Sequence, residues 1–312
     1  MLTRRAILPL FGAIPVTRWP IEIVPRAKET RIVFGGDVML SRFVGRLARE
    51  RRDPALPMRD LAPYFAAADI AFVNLESPFS DRGRPVEKGM VFKAEPEMIG
   101  GLELAGIDVV STANNHARDG GEYGIEFTLD WLEKHGIAAA GSGRSEEAAH
   151  SGVVLERNGL RFGFLAYTFD QSNGNYTDFD ERIAVLDVAR MRRDVAAMRT
   201  HADVVIVSMH AGIEYAARPN QQQVAFAHAA IDAGARVVVG HHPHVVQPWE
   251  RYGSGVIYYS LGNLVFDQFQ RAETQRGALG QVDFSGAAVA RAALLPVTIV
   301  RTVPRFADAS RV

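Results

Sequence analysis

The chain has 312 residues, 47% of them hydrophobic and 23% charged, which is the composition of a soluble globular protein with a large core. With 35 basic against 36 acidic residues the net charge is −1, so nothing in the balance points to nucleic acid. There is no cysteine, which excludes disulfides and a lipoprotein-type anchor and disfavours zinc-finger and iron–sulfur sites.

Residues 1–16 place Arg4 and Arg5 before a short apolar run, and Thr3-Arg4-Arg5-Ala6-Ile7-Leu8 resembles a twin-arginine signal. The run is broken by Pro9 and Pro15 and falls short of the about 20 residues that cross a bilayer as a helix. Residues 1–30 are therefore expected to be an export signal or amino-terminal anchor with its linker, peripheral to a membrane at most. A cytosolic arm is the alternative. Residues 31–312 are expected to form one domain.

The first strand spans 31–36 and runs into Asp37. Helices follow at 41–51 and 61–68, then a strand at 70–75 that ends in Asn74-Leu75-Glu76. A Gly-, Pro- and charge-rich loop covers 80–93, with Arg82, Arg84 and Lys88. Pro96 opens a helix that Gly106 closes. A strand at 108–112 leads to Asn114-Asn115-His116, and Asp119 and Glu122 have capping-box spacing for a helix to His135. Strand 137–140 precedes a hairpin, 153–157 with 160–167, turned at Asn158-Gly159. A polar loop at 171–180 and a helix capped by Asp187 come next. Strand 204–208 runs into Met209-His210, and helix 221–233 stops at Gly234. Then Val237-Val238-Val239-Gly240 ends in His241-His242-Pro243-His244, three histidines within four positions. Strands at 255–260, 277–284 and 287–300 complete the chain. Alternating strands and helices with antiparallel additions predict an α/β core, best buried as two packed sheets with helices outside.

Apolar strands thus end in Asp37, Asn74 and Glu76, Asn115 and His116, His210, His242 and His244, and Asn263. In parallel α/β sheets the carboxyl ends of strands face the ligand crevice, so these residues are expected along one edge. Carboxylate, amide and imidazole suit two divalent ions (Mn, Zn, Fe or Mg) with Glu76 or Asp37 between them. Two ions about 3.5–4 Å apart activate water and stabilise developing negative charge. His135, His150, His201 and His228 are read as surface or capping residues.

At these residues the chain resembles the CapA family of poly-γ-glutamate capsule biosynthesis proteins, which is related to calcineurin-like metallophosphoesterases. The resemblance rests on Gly36-Asp37-Val38-Met39-Leu40, Asn74-Leu75-Glu76, Asn114-Asn115-His116 with Asp119 and Gly121, His210-Ala211-Gly212-Ile213-Glu214-Tyr215, Gly240-His241-His242-Pro243-His244 and Tyr259-Ser260-Leu261-Gly262-Asn263. It implies a four-layer α/β/β/α sandwich and makes Asp37, Glu76, Asn115, His210, His242 and His244 the expected metal ligands. It makes His116 the expected general acid, aided by Asp119. Asn74, Glu214, His241 and Asn263 are expected substrate contacts. Three departures stand out: Asp37-Val38-Met39 replaces the Asp-x-His of the phosphoesterases, Asn74-Leu75-Glu76 replaces their Gly-Asp, and Ala211 stands where the family usually has tryptophan.

Two functions follow as expectations. One is an exported metal-dependent hydrolase of a phosphoester or a cell-envelope polymer linkage. The other is a non-catalytic envelope protein that binds or helps export an anionic polymer, alongside other capsule-biosynthesis proteins.

Overall fold

The structure, a computed structural model, describes residues 29–82, 89–169 and 180–307. The expected export signal, Arg84 and Lys88 of the charged loop, and nearly all of the polar loop at 171–180 lie outside the described residues.

Two sheets form the middle of the molecule. The first contains β1 (Glu29–Val38), β2 (Ile70–Leu75), β3 (Val109–Ser111) and β4 (Ala138–Ala140) as parallel neighbours. The second contains β5 (Val153–Arg157), β6 (Leu160–Thr168), β7 (Val204–His210), β8 (Val237–His241), β9 (Trp249–Tyr252) and β10 (Gly255–Tyr258). Its order is β5-β6-β7-β8-β10-β9, with a parallel centre and antiparallel edges. The chain then returns to the first sheet. There β11 (Asn263–Val265) pairs in parallel with the end of β1, and β12 (Arg276–Ser285), β13 (Ala288–Val300) and β14 (Val303–Phe306) extend it antiparallel beyond β1.

Strand side chains alternate between faces, and here both faces are apolar. Ile32, Phe34, Ile70 and Phe72 meet Phe162, Phe164, Val204, Ile206, Val237 and Val239 between the sheets. The alternate residues Val33, Ala71 and Val73 pack outward against α1 (Arg42–Arg51), α2 (Ala62–Ala66), α3 (Ile99–Ala105) and α4 (Gly121–Lys134). Val205, Val207 and Val238 pack outward against α5 (Glu146–Ser151), α6 (Val188–Met198) and α7 (Gln221–Ala233). The layers run α/β/β/α, as expected.

Local chemistry explains most boundaries. Asn158 and Gly159 both take positive φ in the β5–β6 turn, the geometry that an Asn-Gly hairpin needs. Asp187 accepts a hydrogen bond from the Arg190 N–H, and Asn220 with Gln223 forms a full capping box for α7. The expected capping box at Asp119 is not formed: α4 starts from Gly120 with no side-chain cap, because the Asp119 carboxylate is engaged elsewhere. Four short elements lacked a clear pattern: α5, β9, β11 and β14.

Candidate metal centre

The centre is assembled where the two sheets present the ends of β1, β2, β7 and β8 to one another. Asp37 sits near the end of β1, with Asn74 of β2 and Asn263 of β11 as its ladder partners on either side. Both ladders shift register beside Asp37, so regular pairing gives way at the carboxylate. Asp37 Oδ1 accepts from Asn74 Nδ2 at 2.8 Å and lies 3.3 Å from His241 Nδ1; Oδ2 lies 3.3 Å from the His242 N–H and 3.5 Å from His244 Nδ1. Burial alone would raise this carboxyl, but His241 and His244 outweigh it and hold Asp37 well below the usual carboxylate range.

The turn after β8 bears the strain of the site. His242 has φ 94° and His244 has φ 59°. Non-glycine residues in this region cost on the order of 1–3 kcal/mol each, and such strain clusters at functional sites. His244 Nδ1 is 3.0 Å from Asn263 Oδ1, which leaves Nε2 directed at Glu76, 3.8 Å from its Oε1. His210 sits between two amides: Asn74 Nδ2 lies 3.2 Å from its Nδ1 and Asn115 Oδ1 lies 2.8 Å from its Nε2. Burial, and then the neighbouring His242, pushes His210 well below the ordinary imidazole value. Burial and then His244 push His242 down to about 3. Both rings are neutral at physiological pH and offer lone pairs.

Glu76 is the anomaly. It is fully buried, and among the described residues neither carboxylate oxygen has a hydrogen-bond partner. Burial, then the charges of Asp37, Glu214 and Asp119, push it well above the usual range. A buried acceptor left unpaired costs roughly 1–3 kcal/mol, and more when charged. Among the described residues His242 Nδ1 and both ring nitrogens of His241 are likewise buried without a hydrogen-bond partner. Orphaned oxygen and nitrogen donors gathered at the strand ends are what a divalent cation would satisfy, and the donor set fits a hard or borderline ion. Asp37, Glu76 and His210 each offer a ligand atom within 4.8 Å of the others, and so do Glu214, His242 and His244.

Beside Glu76 stands His116, with Nε2 4.0 Å from Glu76 Oε1 and Nδ1 2.6 Å from Asp119 Oδ2. The same Asp119 oxygen accepts the Phe92 N–H at 2.6 Å, and the Phe92 ring stacks on His116 at 3.8 Å. Asn114, after β3, anchors this loop by donating to the Leu75 carbonyl and accepting the His116 N–H.

The structure therefore brings all six expected ligands and the His116–Asp119 pair together. Three of the four residues expected to touch substrate lie deeper than that: Asn74, His241 and Asn263 have no exposed surface, and each is packed against Asp37, His210 or His244. They lie behind the expected ligands. Glu214 alone of that group is exposed. His150, expected at the surface, is buried with Nδ1 2.7 Å from Asp194, away from the centre on the outer face of the second sheet. Phe92 and Phe169 were not foreseen; Phe169 packs 4.5 Å from His242. Neither belongs to a polar motif that would single it out.

Such a sandwich, with its donors at the strand ends, is the architecture of metallophosphoesterase-type proteins. The TM-score is 0.54 with the NAD nucleotidase of Haemophilus influenzae, at 12% identity, over 87% of this chain and 56% of that one. It is 0.50 with a putative 5′-nucleotidase from Staphylococcus aureus, at 13% identity, over 91% and 56%. The chain spans just over half of each, and the likeness is one of fold. The family model for "Bacterial capsule synthesis protein PGA_cap" matches residues 31–268, and the chain belongs to that family. It is 32% identical to the PGA biosynthesis protein CapA of Bacillus subtilis, over 87% of this chain and 72% of the relative. It is 30% identical to the capsule biosynthesis protein CapA of Bacillus anthracis, over 96% and 76%.

Proposed function

We propose that the chain is a metal-dependent hydrolase of the cell envelope, cleaving a phosphoester or a linkage in an anionic envelope polymer. The observation that supports this most is Glu76: a fully buried carboxylate without a hydrogen-bond partner, set among Asp37, His210 and His244 and facing His116. Two divalent cations are the proposed occupants, held by Asp37, Glu76, Asn115, His210, His242 and His244. When bound, they supply an activated water and neutralise charge that develops on the substrate.

The remaining chemistry belongs to the chain. Asp119 holds His116 by Nδ1, so that Nε2 faces the centre. His116, oriented by that carboxylate, gives a proton from Nε2 to the leaving oxygen or nitrogen. Phe92 covers one face of the imidazole and keeps water from it. Asn74 fixes the orientation of Asp37 by donating to its Oδ1, which His241 Nδ1 approaches to 3.3 Å.

The envelope setting is supported by the names of the relatives, which are capsule and PGA biosynthesis proteins. Residues 1–30 are proposed as an export signal or anchor, and 31–312 as the functional unit. Among the described residues no helix is long and apolar enough to cross a membrane. The test is elemental analysis of purified protein followed by a screen of phosphoesters and γ-glutamyl polymers. Turnover that requires the cation and is lost in His116→Ala is expected. Bound metal without turnover on any substrate would overturn the hydrolase reading in favour of polymer binding alone.

A further inference from the structure

We propose, building on the anionic-polymer part of the proposed function, that a groove walled by Arg276 and Arg301 is an accessory binding site for an extended polycarboxylate chain.

The groove lies between α1, the 269–276 segment that follows β11, and the end of β13, and has a volume of about 570 Å³. Phe43, Phe269, Ile299 and Val300 form its apolar walls, with the Phe43 and Phe269 rings in edge contact at 5.6 Å. Phe269 and Val300 are 44% and 46% exposed, so apolar surface is open to solvent there. Among the described residues no carboxylate lines the groove, and neither Arg276 nor Arg301 has an ion pair. The whole chain has a net charge of −1, so this positive sign is local. Guanidinium groups above aliphatic and aromatic walls suit a chain in which methylene stretches separate carboxylates. The methylenes cover the walls, and each carboxylate takes paired hydrogen bonds from an arginine. A bilayer surface also carries anions, but a flat face meets only the rim of a concavity.

The backbone at Arg301 is the independent sign. Val300 pairs with Val303, so Arg301 and Thr302 alone make the β13–β14 turn, with φ 49° and 74°. Such a turn is normally built from Asn-Gly, because both residues take positive φ. Thr302 is 1% exposed, and its burial offsets its strain. Arg301 is exposed, and among the described residues its side chain makes no hydrogen bond or ion pair. Nothing in the fold compensates for a strained arginine there, and strain of this kind gathers where a ligand is held.

The groove wall is braced from the metal centre. Asn263, whose Oδ1 lies 3.0 Å from His244 Nδ1, donates from Nδ2 to the Thr274 carbonyl at 2.9 Å. Thr274 Oγ1 in turn donates to the Gln268 and Arg271 carbonyls at 2.8 and 2.9 Å. A long chain held in the groove therefore stays beside the centre between encounters with it.

The test is fluorescence anisotropy of labelled poly-γ-glutamate with full-length protein, with and without Mn(II). Wild type is expected to bind, less tightly as salt rises. Arg276→Gln and Arg301→Asn are each expected to weaken binding by about 3–10-fold. Arg251→Gln, a matched loss of charge on β9, is expected to leave affinity unchanged. Arg301→Asn is also expected to unfold in denaturant at the wild-type midpoint or above it, since asparagine tolerates positive φ. Wild-type affinity in both groove variants would overturn the proposal, and so would an equal loss in Arg251→Gln. Groove variants that lose binding to phosphatidylglycerol vesicles but keep polymer affinity would overturn it in favour of a bilayer. Polymer binding through these arginines without turnover of any substrate would support the groove and overturn the hydrolase reading. Turnover of small phosphoesters without polymer binding would do the reverse.

Discussion

His116 and Asp119 meet through a 2.6 Å contact between Nδ1 and Oδ2, and that same oxygen also receives the Phe92 N–H at 2.6 Å. The carboxylate is therefore saturated on one side by the chain that lays Phe92 across the imidazole. Its position fixes both the ring's orientation and its tautomer. Asp119→Asn keeps the shape but removes the carboxylate that fixes the ring and its tautomer. The expected result is a fall in kcat of about 100-fold or more, with KM and cation stoichiometry near wild type. Steady-state kinetics with metal analysis on the same preparation checks it. Equal losses in kcat and in bound metal would show instead that Asp119 holds the centre together.

Glu76 governs the coupling between cation and fold. Among the described residues its oxygens have no hydrogen-bond partner, and in the proposed reading a bound cation would offset their burial. A ligand at 100 times its Kd stabilises a protein by about 2.7 kcal/mol. Thermal unfolding of wild type is expected to shift upward by several degrees on adding Mn(II). Glu76→Gln is expected to lose most of that shift, while its chelator-treated form is at least as stable as chelator-treated wild type, because the buried charge is gone. Unfolding curves with and without metal for both proteins check this, and a variant that keeps the full shift would place Glu76 outside the cation shell.

Five of the six expected strand ends were readable because each places a polar residue after a run of β-branched or aromatic residues, and topology then gathers them; the sixth was misread, since β10 stops at Tyr258 and Asn263 opens β11. Depth was not readable. His241 and His242 are neighbours in the chain, yet His241 reaches Asp37 from within the sandwich and His242, with φ 94°, turns toward Phe169 and the open side. Nothing local distinguishes them; the sign of one dihedral does. Phe92 and Phe169 escaped notice for a related reason, since packing against a residue far away in the chain leaves no periodic mark. The short helix α5 did carry a signal, as Ser145 accepts the Ala148 N–H ahead of Glu146 and Glu147, but six residues are too few for an amphipathic pattern. His150 was misplaced by relying on the usual exposure of polar side chains, which buried Asp194 overrides.

Asp194 joins His150, the Tyr167 hydroxyl and Arg190 on the outer face of the second sheet. Burial would raise its carboxyl, but His150 and Tyr167, with Arg190, hold it below the ordinary value of 3.8. A carboxyl depressed in the folded state adds stability above its ordinary value and loses it as pH falls through the folded value. Asp194→Ala leaves His150 and Tyr167 unpaired, while Arg190 keeps Glu146, and is expected to cost about 3 kcal/mol at neutral pH. The gap from wild type is expected to stay flat down to about pH 4 and to narrow below it. Denaturant unfolding across this range checks the sign, and cation stoichiometry is expected to be unchanged.

Gly36 shows that the centre depends on residues that touch no ligand. A Cβ at this position would fall 1.9 Å from the Gly262 carbonyl oxygen, and that same carbonyl accepts the Asp37 N–H at 3.0 Å. The clash is with backbone, so it cannot be relieved by turning a side chain; β1 and β11 would have to separate where they set Asp37 against Asn263. Gly36→Ala is expected to destabilise by about 3 kcal/mol or more and to lower cation occupancy, although every donor is present. Gly124, inside α4, is the matched control: nothing lies within 4 Å of its added Cβ. Gly124→Ala is expected to be neutral or stabilising by up to about 1 kcal/mol, with full occupancy. Unfolding and elemental analysis of the pair separate the two effects. Normal occupancy in Gly36→Ala would show that Asp37 tolerates displacement of the strand beside it, and that the close backbone approach serves the sheet and not the metal centre.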